Sequence, residues 1–244
     1  MISIKKHIPN TITSGNLLCG CLAIVSAFNG DLVWSAYLVG IAAVLDFFDG
    51  FTARLLNVHS EIGKQLDSLA DMVTFGVVPG ILLFKMLLSS CTIDCGIREG
   101  IFFYLPYIAF LIPIFSAIRL AKFNIDTRQS SSFIGVPTPA NAILICSLPL
   151  IQSFQHYIGN FNVDLIIGNV WFLVALSVVM SFLMIAELPL FALKFKNFGW
   201  PDNKIRYSFL IISILMLILF QFIAIPFIIF LYVILSAANN SFNK

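Results

Sequence analysis

An all-α, polytopic membrane bundle of seven or eight transmembrane helices is the architecture expected of this chain. Hydrophobic side chains make up 59% of its 244 residues and charged ones only 11%, against roughly 25% charged in soluble domains. Mean hydropathy is +0.98, and apolar stretches close to the ~20 residues of a bilayer crossing recur from end to end. No stretch between them is long or polar enough for a soluble domain, and no repeat or low-complexity tract marks a second unit. A single domain over 1–244 is expected.

The opening stretch, 1–11, has Lys5 and Lys6 ahead of an apolar run, as a signal peptide would. Pro9, Asn10 and Asn16 interrupt that run and no small-residue cleavage site follows, so a short interfacial helix leading into the first span is predicted. Spans are then expected near 12–29, 32–56, 64–89, 101–125, 139–157, 166–187, 208–223 and 225–238. The second and third are joined by the short turn in "VHSEIG" and should return antiparallel. The Gly135, Pro137 and Pro139 turn either stiffens a loop over a site or simply opens the fifth span. The last two spans meet at Ala224, Ile225 and Pro226, where a tight hairpin and one kinked helix are both open, hence seven or eight.

Placing the N-terminus inside leaves only Lys85 and Arg98 outside, so 14 − 2 = 12 basic residues share the cytoplasmic side. Such loading is the positive-inside pattern, and it puts both termini in the cytoplasm. Of the five cysteines, Cys19, Cys21 and Cys146 lie in apolar runs and read as small buried packing residues. Cys91 and Cys95 share the outer loop "SSCTIDCGIREG", as a disulfide or as free thiols. His7, His59 and His156 read as surface or interfacial residues, and Glu187, beside Pro189, as an interfacial capping or pairing residue.

The segment 45–71, "LDFFDGFTARLLNVHSEIGKQLDSLAD", holds four aspartates between two apolar spans. On helices, Asp46 and Asp49 share a face at a spacing of three, and Asp67 and Asp71 share one at a spacing of four. An antiparallel return lets the faces meet. Ionised carboxylates away from water cost several kcal/mol each, and like charges add to that. Oxygen-only ligands resolve the conflict by holding a hard divalent cation: Mg²⁺, Mn²⁺ or Ca²⁺, as one or two ions. Gly50, Ala53 and Gly63 lack the bulk that would keep a ligand or helix away, and Arg54 is a planar cation suited to phosphate.

Asp46, Asp49, Gly50, Ala53, Arg54, Gly63, Asp67 and Asp71 fit the pattern DxxDGxxARx8GxxxDxxxD at every fixed position, so the chain resembles the CDP-alcohol phosphotransferase family of integral membrane enzymes. That resemblance implies attack by an alcohol on the β-phosphorus of a CDP-linked lipid or alcohol, with CMP leaving. It implies a metal site of Asp46, Asp49, Asp67 and Asp71, with Asp71 also taking the proton. Gly50, Ala53, Arg54 and Gly63 would bind the CDP-lipid. Asn16, with Asn10, Thr11 and Thr13, offers amide and hydroxyl contacts to its ribose or cytosine, and capping of the first span explains Thr11 or Thr13 equally well.

"IPNTITSGNLLCG", "DSLADMVTFGVVPG", "RLAKFN" and "FIGVPTPANA" are similar to the membrane-embedded phosphatidylserine synthases of that family, with Lys122 where Arg is frequent and Val136 where Leu is. CDP-diacylglycerol and L-serine are the substrates this implies, at the cytoplasmic face of a bacterial-type cell (inner) membrane. A homodimer among membrane lipids is implied too, and no nucleic acid is expected as a partner. Arg119 and Lys122, three residues apart at the cytoplasmic end of the fourth span, suit a serine carboxylate or a lipid phosphate, with Asn124 and Pro137 in the same candidate pocket. Positive-inside loading explains the two cations as well. Glycerol 3-phosphate and inositol 1-phosphate are the competing acceptors. A cation transporter would be expected to show a second, related half, which the chain lacks.

Overall fold

A computed structural model of the chain describes residues 2–58, 60–94, 103–126, 132–154, 162–191 and 199–242. Apart from one three-residue ladder they form helices: α1 (Ile2–Phe28), α2 (Leu32–Leu55), α3 (Glu61–Asp71), a π-helical turn (Met72–Val77), α4 (Val78–Asp94), a 3₁₀ turn (Leu105–Phe110), α5 (Leu111–Ile125), α6 (Thr138–Phe154), the short α7 (Asp164–Ile167), α8 (Val170–Ile185), α9 (Trp200–Phe220) and α10 (Ala224–Phe242). The membrane reading holds. Five helices or continuous helical runs among the described residues are long and apolar enough to cross a bilayer, with Thr138–Phe154 and Val170–Ile185 as shorter apolar ones.

The separate interfacial helix expected over 1–11 is instead the start of a continuous α1, which carries Pro9 within it. The span expected over 166–187 breaks at Gly168, which ends α7, and Asn169 caps α8 by accepting from the backbone of Trp171 and Phe172. The last two spans form a hairpin. Gln221 turns the chain at φ 50°, ψ −127°, and the rings of Phe209 and Tyr232 lie 5.7 Å apart. In one straight helix those residues would be about 35 Å apart at 1.5 Å per residue. Lipid contact suits this hairpin, since the window that represents Asn203–Ala237 has a mean hydropathy of 2.9 and is only 6% buried.

Small residues let the inner helices approach. A side chain at Gly20 of α1 would collide with Thr74, and one at Gly76 would press on Ser116 of α5, the close packing that membrane helices use in place of hydrophobic collapse. The π turn, lying between these contacts, is buried at Thr74, Phe75 and Gly76. It therefore fixes the end of α3 against both α1 and α5. The larger core is built around Leu83, Leu87, Ile112, Leu148, Leu173 and Met180, all nearly inaccessible.

Beyond the helices, β1 (Ser132–Ile134) pairs antiparallel with β2 (Pro189–Phe191). The turn after β1 is tied to the same partner: Gly135 N donates to Leu188 O at 2.9 Å and Val136 N to Leu183 O at 3.0 Å. Gly135 has φ +73° and faces the Met184 and Ala186 carbonyls, where a Cβ would collide. The turn leads into α6, as a span entry would, and clamps the end of α8.

Cys21 is exposed rather than buried, whereas Cys146 is buried as expected and Cys19 lies between. Cys91 belongs to the core, and Cys95 lies outside the described residues, as do His59, His156, Arg98, Arg128, Lys194, Lys196 and Lys244.

Candidate functional site

The turn that joins α2 to α3 is set locally. Asn57 takes φ 51°, and Ser60 caps α3 by accepting from Gly63 N at 3.2 Å, which satisfies one of the orphan amides of a helix start. The chain therefore reverses in five residues. Carboxylate oxygens of Asp46, Asp49 and Asp67 come within 4.8 Å of one another. Asp46 also lies within hydrogen-bonding reach of Asp71, so all four acids meet. Asp71 has one carboxylate oxygen, Oδ1, buried and without a hydrogen-bond partner.

Asp49 is only 6% exposed and is held from a third helix, where buried Thr13 donates from Oγ1 to Asp49 Oδ2 at 2.6 Å. Hard oxygen donors converging this closely, one of them with a free lone-pair site, suit a hard divalent cation. The residues fit a metal: all donors are carboxylates, and burial without a counter-ion would be unfavourable.

One cavity adjoins this cluster, and Arg119 lines a second. The first, about 240 Å³, is bordered by Asp49 and Asp67 together with Pro9, Asn10, Thr13, Gly50, Ala53, Val58, Ser60, Gly63 and Lys64. Gly63 keeps its wall open, since a Cβ there would stand 2.9 Å from Asn10 Oδ1 and displace that side chain. The second, about 350 Å³, is lined by Arg119, Lys122, Ile125, Asp126, Ile134, Met184, Ile185 and Glu187. Arg119 is buried, donates from Nη1 to Thr138 Oγ1 at 2.8 Å, and keeps Nε without a partner. It lies close enough to Asp71 for their charges to interact, which links the second cavity to the acids.

Of the residues expected to bind the nucleotide, Gly50, Ala53 and Gly63 line the first cavity. Arg54 is exposed, with Nη1 3.7 Å from where a Cβ on Gly50 would sit. Asn16 lies one turn beyond Thr13, fully buried, with both amide atoms unpartnered. Neither Asn16 nor Arg54 borders that cavity. Arg119 and Lys122 share the second cavity, whereas Asn124 ties α5 to the acidic helix, donating to Ser68 Oγ at 2.9 Å and accepting from Lys64 Nζ at 3.2 Å through its carbonyl. Pro137, just ahead of α6, accepts from Asn141 N.

Sequence reasoning missed Lys64, Ser60 and the Thr13–Asp49 bond. It also missed Asn141, fully buried in α6 with both amide atoms unpartnered. A lone amide inside an apolar helix was the available signal.

The sequence profile described as CDP-alcohol phosphatidyltransferase matches residues 6–169. A Helicobacter pylori (strain J99) protein named CDP-diacylglycerol--serine O-phosphatidyltransferase is 35% identical over 182 residues, 70% of this chain and 68% of that protein. A Bacillus subtilis (strain 168) protein of the same name is 39% identical over 138 residues, 55% of this chain and 70% of its own. An archaetidylserine synthase of Methanothermobacter thermautotrophicus is 30% identical over 146 residues, 59% of this chain and 58% of that protein. With two-thirds of its length matching the profile, and its acids gathered as the shared pattern requires, the chain belongs to the CDP-alcohol phosphatidyltransferase family.

Proposed function

We propose that the protein transfers the phosphatidyl group of CDP-diacylglycerol to the hydroxyl of L-serine, giving phosphatidylserine and CMP. The observation that carries this is the cluster of acids itself, bordered at Asp49 and Asp67 by a cavity walled by glycines and Lys64 and facing, through the charge of Asp71, the buried Arg119 that lines a second cavity. Serine is the element common to the names of the three relatives above.

In this reading the serine hydroxyl attacks the lipid-bearing phosphorus while Asp71 accepts its proton, and the bond to the CMP oxygen breaks with its electrons leaving on CMP. Asp71 suits the task because it lies within hydrogen-bonding reach of Asp46 and its charge interacts with Arg119, and a positioned base typically contributes ~10²–10⁴ in rate. Asp46, Asp49, Asp67 and Asp71 would hold one or two divalent cations, Mg²⁺ or Mn²⁺ with Ca²⁺ as the third candidate, whose charge neutralises the pyrophosphate and the departing phosphate. Gly50, Ala53 and Gly63 admit the nucleotide, and Arg54 and Lys64 offer cations to its phosphates. Asn16, buried one turn from Thr13 with its amide unpartnered, is the remaining candidate contact to the CDP-lipid. Arg119 takes the serine carboxylate beside Lys122, with Asn124 holding α5 on α3 and Pro137 leading into α6. The reaction faces the cytoplasm of a bacterial-type inner membrane, where most basic residues gather, and the active form is a homodimer.

Purified protein given CDP-diacylglycerol, a divalent cation and in turn L-serine, glycerol 3-phosphate and inositol 1-phosphate tests this. Release of CMP with labelled phosphatidylserine, from serine alone, is expected. Turnover with a phosphorylated acceptor and none with serine would overturn it.

A further inference from the structure

We infer that Glu187, together with Asp126, holds the ammonium group of the acceptor, so that the second cavity selects a zwitterion rather than an anion. The inference rests on the serine reading above and adds the residues that read the amine.

Four charged side chains line that cavity, Arg119, Lys122, Asp126 and Glu187, and their formal charges cancel. An acceptor bearing a phosphate would call for surplus positive charge, whereas a free amino acid presents one group of each sign. Arg119 supplies the cationic half from a built position: it is 7% exposed and anchored on Thr138, and its Nε has no partner. A buried guanidinium N–H left unsatisfied in the protein is suited to a ligand oxygen.

Glu187 supplies the anionic half from an equally fixed backbone. Ala186 is extended after α8 ends, and the next residues are held on both sides, by Val136 N on Leu183 O, Gly135 N on Leu188 O, and the ladder that pairs Ile134 with Pro189. Glu187 thus stands between backbone anchors, at the rim of a cavity that Arg119 also lines. Asp126 enters from the end of α5, where its own N–H closes the helix on Lys122 O at 2.9 Å. With the carboxylate on Arg119 and the ammonium on the acids, the remaining substituent, the hydroxymethyl, is left for Asp71, whose charge Arg119 feels.

The test measures CMP release by the wild-type protein and by Glu187→Gln, Asp126→Asn and Glu187→Asp. Acceptors are L-serine and 3-hydroxypropionate, which is serine without its amine. The wild type should prefer serine by about 100-fold in kcat/KM. Each neutral variant should raise the serine KM by about tenfold, a charged hydrogen bond's worth, leave the CDP-diacylglycerol KM within about twofold, and shrink the preference over 3-hydroxypropionate. Glu187→Asp should recover part of it, and it stands in should Glu187→Gln turn over nothing. A wild type that uses both acceptors equally, or neutral variants with the preference intact, would overturn the inference. Failure of the underlying reading looks different: the wild type itself releases no CMP with serine but does with glycerol 3-phosphate or inositol 1-phosphate, and the inference falls with it.

Discussion

Thr13 and Asp49, on different helices and 36 positions apart, share a hydrogen bond of 2.6 Å. The single Oγ1 hydrogen of Thr13 also lies within reach of Pro9 O at 3.0 Å, the longer of the two contacts, so it is directed mainly to Asp49 and α1 holds one carboxylate of the acid cluster in orientation. Thr13→Val keeps the shape and removes the donor. It should weaken divalent-cation affinity about 10-fold or more, as loss of a group that orients a ligand generally does. A cation titration of activity checks this, and an unchanged half-saturation would show that Thr13 only packs.

Asp46, Asp49 and Asp67 should each be indispensable. Replacement by Asn removes one charged hard donor, and cation affinity should fall by at least about tenfold in each case. Activity should vanish in excess EDTA and return on adding Mg²⁺ or Mn²⁺. Full activity under chelation would contradict the metal site, and unchanged affinity in all three variants would contradict its ligands.

Asp71→Asn should separate chemistry from donor binding. CDP-diacylglycerol binding should persist while turnover falls about 10²–10⁴-fold, and further where a metal ligand is lost too. Equal loss of donor affinity and turnover, measured by equilibrium binding beside initial rates, would assign Asp71 to holding the donor.

Arg119→Ala should raise the serine requirement more than the CDP-diacylglycerol requirement. Arg119→Lys should rescue little, because an ammonium cannot donate to Thr138 and to a ligand in the fork geometry of a guanidinium. Parallel rises in both KM values would move Arg119 to the phosphates.

The acid cluster was legible in the sequence because its geometry is local: spacings of three and four fix a helix face, and a short turn brings two such faces together. Helix positions followed from hydropathy for the same reason, though not their details. Nothing in residues 72–77 announces a π turn, and Gln221 takes its reversal from the packing of Phe209 on Tyr232 rather than from a turn residue. Glu187 was read as an interfacial residue because its neighbours in the second cavity lie about sixty positions away. They are brought together by the packing of α5 on α8 and by a ladder of three residues per strand, too short to leave a pattern. The bond from Thr13 to Asp49 spans 36 positions and depends on the packing of α1 against α2.

Donor and acceptor are proposed to meet at the acids for a single in-line displacement. CDP-diacylglycerol made chiral with ¹⁸O at its lipid-bearing phosphorus tests it directly, through the configuration of the phosphatidylserine formed. One displacement predicts inversion at phosphorus. Retention would mean two displacements through a covalent phosphatidyl-enzyme, and would contradict the direct attack and the role given to Asp71.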